Sequence, residues 1–290
     1  MSAADAVTGA VVLITGGARG MGELYARRAI AGGARAVALW DIDAERAEAL
    51  AAELSRSGAD VRAYRVDVSR YEDIRAHYER TTADLGAPDI VVNNAGIVRG
   101  APFWEHDPER DIEATLRINT LAAMWLTREA LPAMLADDSR PKRILNVASA
   151  AGTLANPRMS VYAASKWAMI GWSESVRLEL AAAGHRHIAV TTFCPSFVST
   201  GMFEGARGPL LTPILTPERA TRAAWNGMRR GTPMVLRPWT VKLAMALRGL
   251  LPTRLWDAVA GPVFRVYASM DHFTGRTRVD GTTAPPHPEG

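Results

Sequence analysis

The feature that most constrains the fold is a repeated alternation of short apolar runs with stretches typical of helices. The apolar runs lie at 10–14, 36–40, 61–66, 89–92, 143–149 and 188–194, and the helical stretches at about 23–33, 43–58, 70–85, 108–135 and 160–183. The runs are continuous rather than alternating, which is typical of strands buried on both faces of a parallel sheet. Right-handed crossovers then predict an α/β fold, a doubly wound parallel sheet with helices on both faces.

The chain is predicted to form one domain over residues 1–290, because neither a Pro/Gly/Ser-rich linker nor an internal repeat divides it. Its core spans 9–236, and a C-terminal helical extension follows over 237–279. The extension is apolar with scattered Lys and Arg, and it predicts two short helices broken at Pro252. Residues 280–290 are predicted to be a mobile tail.

Composition excludes several classes of protein. Lys and Arg number 34 against 30 Asp and Glu, with no dense basic stripe, so nucleic-acid binding is not indicated. The one cysteine, Cys194, excludes a disulfide framework and a cysteine-based metal site, and it is interpreted as a small buried hydrophobe. The N-terminus lacks a basic segment before an apolar run, and no apolar run reaches about 18 residues. A cytoplasmic protein without a metal site is predicted.

The segment TGGARGMG at 15–22 lies between the first strand and the first helix. Gly16, Gly20 and Gly22 allow a sharp turn and a close approach by a pyrophosphate, and the helix N-terminus offers N–H groups to it. The spacing is G-x-x-x-G-x-G, and an ordinary glycine turn is the alternative. Because a strand precedes the loop and a helix follows it, we interpret the loop as a dinucleotide phosphate site.

Asp41 follows the second strand and comes nineteen residues after Gly22. A carboxylate there accepts hydrogen bonds from an adenosine ribose and repels a 2′-phosphate, which favours NAD over NADP. Arg19 in the loop argues the other way, since an arginine can pair with a phosphate. Asp41 weighs more because an unpaired carboxylate facing a phosphate is costly. The alternative is that Asp41 only begins the turn before the next helix.

Three polar residues suggest a catalytic group. Ser149 lies at the carboxyl end of a strand, where ligands bind in such sheets. Tyr162 and Lys166 have the i, i+4 spacing that puts them on one helix face. Asn119 stands on an otherwise apolar helix, and NNAG at 93–96 follows another strand. Taken alone, Tyr162 is equally an amphipathic core residue.

In this order, TGGARGMG, Asp67, NNAG, Asn119, Ser149 and the YAASK segment at 162–166 resemble the short-chain dehydrogenase/reductase family over residues 9–236. The stretches 39–43, 193–205 and 269–276 are similar to the branch that contains retinol and hydroxysteroid dehydrogenases. The resemblance implies an oxidoreductase of alcohols or carbonyls that uses NAD.

The resemblance implies four catalytic residues. Tyr162 would be the general acid/base, and Lys166 together with an oxidised nicotinamide would lower the pKa of its phenol. Ser149 would hold the substrate oxygen, and Asn119 would support a water-linked proton path to Lys166. Lys166 would also hold the nicotinamide ribose.

The resemblance also implies the cofactor contacts. They are Gly16, Arg19, Gly20, Met21, Gly22, Asp41, Asp67, Val68, Asn94, Ala95, Gly96, Tyr162, Lys166, Pro195, Val198 and Thr200. Asp67 would accept from the adenine amino group, or else only cap a strand end. Asn94 and Gly96 would flank the cofactor or form a plain turn. Thr200 would contact the carboxamide or be a loop hydroxyl. Ser196 replaces the family's common glycine, which affects the local loop.

The segment 201–216 is apolar, predicts a lid and favours a lipophilic substrate: a retinoid, a steroid or a long-chain alcohol. The extension can pack on the core, on another subunit or on a membrane as a peripheral contact, and core packing is favoured. Relatives in this branch often carry an N-terminal anchor, and because the first strand starts near residue 10, no such anchor is expected here. By analogy, helices 108–135 and 160–183 predict a homodimer or homotetramer.

Two other functions remain open. One is a reductase of a small polar carbonyl, which an apolar cleft would argue against. The other is a non-catalytic dinucleotide-sensing protein, which the Ser149, Tyr162 and Lys166 set argues against. His185 and His187 are interpreted as a solvated turn, since no ligand partners stand at metal spacing. Trp104, Trp125, Trp167 and Trp172 are interpreted mainly as packing residues.

Overall fold

A computed structural model describes residues 6–56, 58–209 and 212–275 of the chain. Its strands form one parallel sheet in the order β3-β2-β1-β4-β5-β6-β7. The strands are β1 Val11–Thr15, β2 Ala36–Asp41, β3 Asp60–Arg65, β4 Ile90–Asn93, β5 Lys142–Val147, β6 Ile188–Pro195 and β7 Met234–Arg237. The predicted doubly wound α/β fold is confirmed. The predicted tail at 280–290 lies outside the described residues.

Helices cover both faces of the sheet. The helices are α1 Gly20–Ala31, α2 Ala44–Ser55, α3 Tyr71–Leu85, α4 Ala114–Leu116, α5 Ala122–Ala136, α6 Ser160–Ala182, α7 Pro217–Arg229, α8 Trp239–Leu250 and α9 Thr253–Ala260. Single 3-10 turns form at Phe103–Glu105 and Ala150–Gly152. The π-helical stretches Pro108–Glu113 and Arg117–Leu121 flank α4. Helices α1 to α6 match the predicted helical stretches to within a few residues, whereas α7 was not predicted.

The core forms two layers, one on each face of the sheet. Buried residues of α1, α2 and α7 pack on one face, and those of α3, α5 and α6 pack on the other. The inner strands are almost entirely buried, which explains their continuous apolar runs. This packing fixes the carboxyl ends of β1, β4, β5 and β6 along one edge, where the candidate residues follow.

The strand β7 was not predicted from the sequence. Its apolar run, 234–236, has only three residues, which is too short to mark a strand. It pairs with β6 from Thr192↔Met234 to Pro195↔Arg237. The extension begins directly after it, and α8 and α9 are separated at Pro252 as predicted.

Candidate active site

The loop between β1 and α1 is shaped by its glycines. Gly16 and Gly20 have φ values of +62° and +59°, in the left-handed region that favours glycine. A Cβ on Gly22 would lie 1.9 Å from the Gly16 carbonyl oxygen, so only glycine lets α1 pack on the loop. No side chain caps the N-terminus of α1, whereas Asp43 caps α2 and Thr216 caps α7. The first N–H groups of α1 are therefore open to an anionic ligand such as a pyrophosphate.

Asp41 lies against this loop. Its side chain is only 8% exposed, and one carboxylate oxygen accepts from the Ala18 N–H at 2.9 Å. The other oxygen accepts from the Asp43 N–H at 3.1 Å, so Asp41 also organises the turn before α2. The alternative that Asp41 begins the turn before α2 is therefore confirmed, and its role toward a ribose stays a prediction. A carboxylate has about four lone-pair sites, so its capacity for further hydrogen bonds remains.

The segment after β4 is tied directly to the glycine loop. The Asn94 side-chain amide donates to the carbonyl oxygens of Thr15 and Gly16, both at 3.0 Å. The Thr15 hydroxyl accepts from the backbone N–H groups of Asn94 at 3.0 Å and Ala95 at 3.1 Å. No role for Thr15 was predicted from the sequence. Its sequence signal, a hydroxyl at the last position of a strand directly before a glycine loop, is a weak one.

Asn119 is fully buried in the π-helical stretch between α4 and α5. Its side-chain oxygen accepts from the Ile97 N–H at 2.8 Å, and its amide nitrogen donates to the Ile97 carbonyl at 2.9 Å and to the Ser165 hydroxyl at 3.0 Å. A Cβ on Gly96 would lie 3.2 Å from the Asn119 oxygen and 3.7 Å from Lys166 Nζ. Asn119 thus holds the 96–97 backbone in place beside Lys166.

The structure brings Ser149, Tyr162 and Lys166 together. Ser149 follows β5, and its hydroxyl accepts from the Ala151 N–H at 3.1 Å. Tyr162 and Lys166 are 5% and 4% exposed on the same face of α6. Lys166 Nζ lies 5.7 Å from the centre of the Tyr162 ring and donates to the Val147 carbonyl at 2.8 Å.

Burial dominates the electrostatics of this group. Desolvation raises the pKa of Tyr162 to about 12, and the neighbouring Ser149 hydroxyl lowers it only in part. Desolvation also lowers the pKa of Lys166 to about 8. The expected lowering of the phenol pKa by Lys166 is therefore not seen in the chain by itself, because the desolvation of a buried phenolate is larger. Ionisation of Tyr162 at neutral pH requires a further positive charge in the site.

Two of the residues proposed to contact the adenine half of a dinucleotide, Asp67 and Val68, also have roles within the fold. The Asp67 carboxylate accepts from the Ser69 N–H at 3.0 Å and from the Ser69 hydroxyl at 2.7 Å, so it caps the end of β3 as the alternative expected. Val68 is buried in the core layer of α3 and α5. Arg19 and Met21 are half-buried at the start of α1.

The contacts proposed after β6 lie across from the glycine loop. A Cβ on Gly20 would lie 3.8 Å from the Thr200 side chain. Val198 is buried and forms a bridge with Leu215, and Pro195 ends β6 opposite Arg237. These residues close the site on the side away from β4.

An apolar cleft opens beside Ser149. It is partly open to solvent, and most of its lining is apolar. Phe203, Pro209 and Thr212 of the predicted lid line one part of it. The opposite wall comes from α8, together with Trp256, Phe264 and Val266. The sequence assigned the apolar site to the lid alone, because nothing in the extension marks which side faces the cleft.

The remaining candidates lie away from the cleft. Cys194 is buried as expected. His185 and His187 lie just before β6 and are partly exposed, as interpreted from the sequence, and the His187 ring also bonds to the Met134 carbonyl at 2.9 Å. Trp104 is exposed, whereas Trp125 and Trp172 pack against the core. Within the described parts of the chain, no group of three His, Cys, Asp or Glu could hold a metal ion, and no helix is both long and apolar enough to cross a membrane.

Comparisons with known proteins agree with this geometry. The profile of the family described as short chain dehydrogenase matches residues 10–209. Human estradiol 17-beta-dehydrogenase 11 is 36% identical over 249 residues, which cover 86% of this chain and 81% of that protein. Mouse epidermal retinol dehydrogenase 2 is 33% identical over 275 residues, which cover 94% of this chain and 87% of that protein.

Solved structures show the same fold. The short-chain dehydrogenase from Sphingobium yanoikuyae in complex with NADPH has a TM-score of 0.71 and 29% identity, and the match covers 83% of this chain and 94% of that one. A short chain dehydrogenase/reductase from Burkholderia phymatum in complex with NAD has a TM-score of 0.76 and 24% identity, over 84% of this chain and 94% of that one. The chain therefore belongs to the short-chain dehydrogenase/reductase family, oxidoreductases whose fold binds a nicotinamide dinucleotide.

Proposed function

We propose that the protein interconverts a lipophilic alcohol and its carbonyl with NAD(H), the substrate being a retinoid, a steroid or a long-chain alcohol. The observation that carries this proposal is the apolar lining of the cleft that begins at Ser149. Such a cleft binds a large apolar body and leaves its one polar end at the catalytic hydroxyls. The names of the estradiol and retinol dehydrogenases among the relatives support the same substrate class.

The residues of the chain have separate roles in this reaction. The Ser149 hydroxyl binds the substrate oxygen, and Tyr162 takes up or returns its proton. Lys166, buried beside Tyr162, adds positive charge that favours the phenolate. Asn119 holds the 96–97 backbone beside Lys166 and so helps to keep Ser149, Tyr162 and Lys166 in place. A nicotinamide, when bound, supplies the hydride chemistry.

The chain fits a dinucleotide at the carboxyl ends of its strands. The uncapped N-terminus of α1 and the glycine loop would hold the pyrophosphate, and Asp41 the adenosine ribose. Asp67 and Val68 would lie at the adenine, and Asn94, Ala95 and Gly96 beside the nicotinamide ribose. Pro195, Val198 and Thr200 would complete the nicotinamide side. Because Asp41 is buried against the loop, a 2′-phosphate would meet an unscreened carboxylate, which supports NAD as the preferred cofactor.

The two alternative functions have less support. A reductase of small polar carbonyls needs several polar groups aimed at its substrate, and most of the cleft lining is apolar. A dinucleotide sensor has no use for a buried lysine beside a buried tyrosine, which is costly to fold.

The C-terminal extension belongs, in this proposal, to the same domain as the core and also meets a membrane surface. Val241 and Trp256 are buried against the protein, so the extension packs inward as predicted. Leu250 and Leu255 are 81% and 50% exposed and lie outside the cleft lining, and Lys242 is also exposed. Apolar side chains interleaved with cations fit an anionic lipid interface. Binding to anionic vesicles but not to neutral ones, weakened by Leu250→Asp, is the expected result.

A homodimer or homotetramer is proposed through α5 and α6. Trp167 and Leu178 expose apolar surface on α6, and Leu135 does so at the end of α5. Sedimentation at several concentrations tests the assembly, and Leu178→Asp should shift the protein toward the monomer.

The test of function follows NADH formation by absorbance. The panel contains retinol, a hydroxysteroid, long-chain alcohols and small polar alcohols, each with NAD and with NADP. Turnover of apolar alcohols with NAD is expected. Preference for small polar alcohols would contradict the substrate class, and preference for NADP would contradict the role given to Asp41.

A further inference from the structure

Residues 269–275, here called the C-terminal strap, cross the loop that follows β6. The Arg207 N–H donates to the Ser269 carbonyl at 2.9 Å. In the other direction, the N–H groups of Thr274 and Gly275 donate to the Glu204 carbonyl at 3.0 Å and 3.2 Å. The strap and the 204–207 part of the loop are therefore joined by main-chain hydrogen bonds at both ends.

The strap is also fastened to the rest of the protein at a second place. A Cβ on Gly100 would lie 2.4 Å from Cδ1 of Phe273 and 3.2 Å from Cε of Met270, so the Phe273 ring occupies the space that any side chain at position 100 would need. The Asn156 side-chain amide donates to the Ser269 hydroxyl at 2.8 Å. The contact of Phe273 with Gly100 thus ties the strap to the loop after β4.

The catalytic tyrosine lies beneath this arrangement. Tyr162, Met159 and Met270 form one buried cluster, and Phe203 and Phe273 pack against it. The Phe203 ring meets the Tyr162 ring edge-on, with centroids 5.8 Å apart and planes at 81°. Phe203 belongs to the loop that the strap holds, and it lines the cleft. The position of the strap therefore determines the position of the side chain that covers Tyr162.

We propose that Phe273 is a positioning residue for the reaction: seated on Gly100, it fastens the strap over the loop after β6 and so holds Phe203 against Tyr162. The proposal rests on the function proposed above, because it concerns the binding of an apolar substrate at the same cleft. Phe273 acts through the strap and Phe203, and its aromatic ring fills a space that only glycine at position 100 leaves free.

A double-mutant cycle tests the contact. Gly100→Ala inserts a methyl group where the ring lies, and Phe273→Ala removes the ring. Each change should raise the KM for a long-chain alcohol about tenfold, since a small misplacement of a cleft wall has large effects, and should leave the KM for NAD unchanged. Because both changes break the same contact, Gly100→Ala should add nothing in the Phe273→Ala background. Gly249→Ala, where a Cβ meets no atom within 4 Å, is the matched control.

Three results would overturn the proposal. One is a Gly100→Ala effect of the same size in both backgrounds, which would be local to the loop after β4. The second is a lower kcat with both KM values unchanged, which would indicate only a loss of folded enzyme. The third is an unchanged KM for the alcohol in Phe273→Ala.

Hydrogen exchange provides a readout that needs no substrate. The Arg207 and Thr274 N–H groups should exchange faster in Gly100→Ala and in Phe273→Ala, and at the parent rate in Gly249→Ala. Unchanged exchange in the first two variants would overturn the proposal. If the parent oxidises no alcohol, the proposed function fails, while the exchange rates still decide whether Phe273 fastens the strap.

Discussion

The two halves of the active site are built in different ways. On the proposed cofactor side, residues at the ends of neighbouring strands bond to one glycine loop, as Asn94 and Asp41 do. On the proposed substrate side, the cleft is assembled from a lid, which the strap holds, and a helix of the extension, all of them outside the sheet. The proposed cofactor site is thus built on the sheet itself, and the proposed choice of substrate is left to segments packed beside it.

The two halves are proposed to meet at Tyr162, the acid/base that both the substrate and the cofactor approach. Tyr162→Phe should lower kcat by about 10³-fold, since a positioned acid/base contributes on the order of 10² to 10⁴. The binding of NAD, measured by calorimetry, should change little. Tyr25→Phe is the matched control, because the Tyr25 hydroxyl is buried in α1 and has no hydrogen-bond partner among the described residues. Retention of more than a tenth of the parent rate in Tyr162→Phe would exclude Tyr162 as the proton carrier.

Replacing Lys166 tests whether the proposed catalytic lysine is kept at a cost to the stability of the folded protein. Burial lowers the pKa of Lys166 in the folded protein to about 8, from an ordinary value of 10.5. Below about pH 8 the buried charge therefore lowers the free energy of unfolding by its full amount. This loss disappears as the pH rises toward 10.5, because the unfolded chain then binds more protons than the folded one. Lys166→Met should therefore raise the free energy of unfolding at pH 7 by up to about 3 kcal/mol.

Denaturant titrations at several pH values measure this effect. The gain in Lys166→Met should shrink between pH 8 and 10.5, and Lys242→Met, at an exposed position, should show no such trend. A variant less stable than the parent at pH 7 would mean that the bond from Lys166 to the Val147 carbonyl outweighs desolvation.

On the cofactor side, Asp41 is proposed to determine the choice between NAD and NADP. Asp41→Asn keeps an acceptor for the Ala18 N–H but removes the negative charge. Relative to the parent, the preference should shift toward NADP by about 2 kcal/mol, which is roughly thirtyfold in the NADP-to-NAD ratio of kcat/KM. Asp43→Asn, two residues on, keeps the cap of α2 and should leave the ratio unchanged. An equal loss with both cofactors would limit Asp41 to holding the loop.

The smallest expected effect lies on the substrate side. Leu247 of α8 lines the cleft, and Leu247→Asp should raise the KM for a long-chain alcohol about tenfold by removing apolar contact. Leu250, on the same helix, lies outside the cleft lining, so Leu250→Asp should leave that KM unchanged. Equal effects of the two changes would mean that α8 does not form the substrate wall.

The sequence predicted where most of the proposed site residues lie, because each of them follows a recognisable strand or begins a helix. Gly16, Asp41, Asn94 and Ser149 all stand at such positions, and the structure places them along one edge of the sheet. Thr15 was missed because a single hydroxyl at a strand end is common and carries little information by itself.

The sequence could not predict the substrate half, because its contacts join distant segments. Phe273 and Gly100 are 173 residues apart, and neither has a neighbour that suggests the other. The apolar pattern of α8 fits core packing and cleft lining equally, and only the folded chain distinguishes Leu247 from Leu250. Likewise β7 has only four residues, too few to be recognised as a strand from the sequence.

The measurement that tests the central claim most directly is kcat/KM for a homologous series of primary alcohols with NAD. Each added methylene buried in the cleft is worth about 0.8 kcal/mol, so kcat/KM should rise about fourfold per carbon until the cleft is filled. In Leu247→Asp the rise should be shallower. A value of kcat/KM that stays flat or falls as the chain lengthens would contradict a lipophilic substrate and the wall assigned to the C-terminal extension.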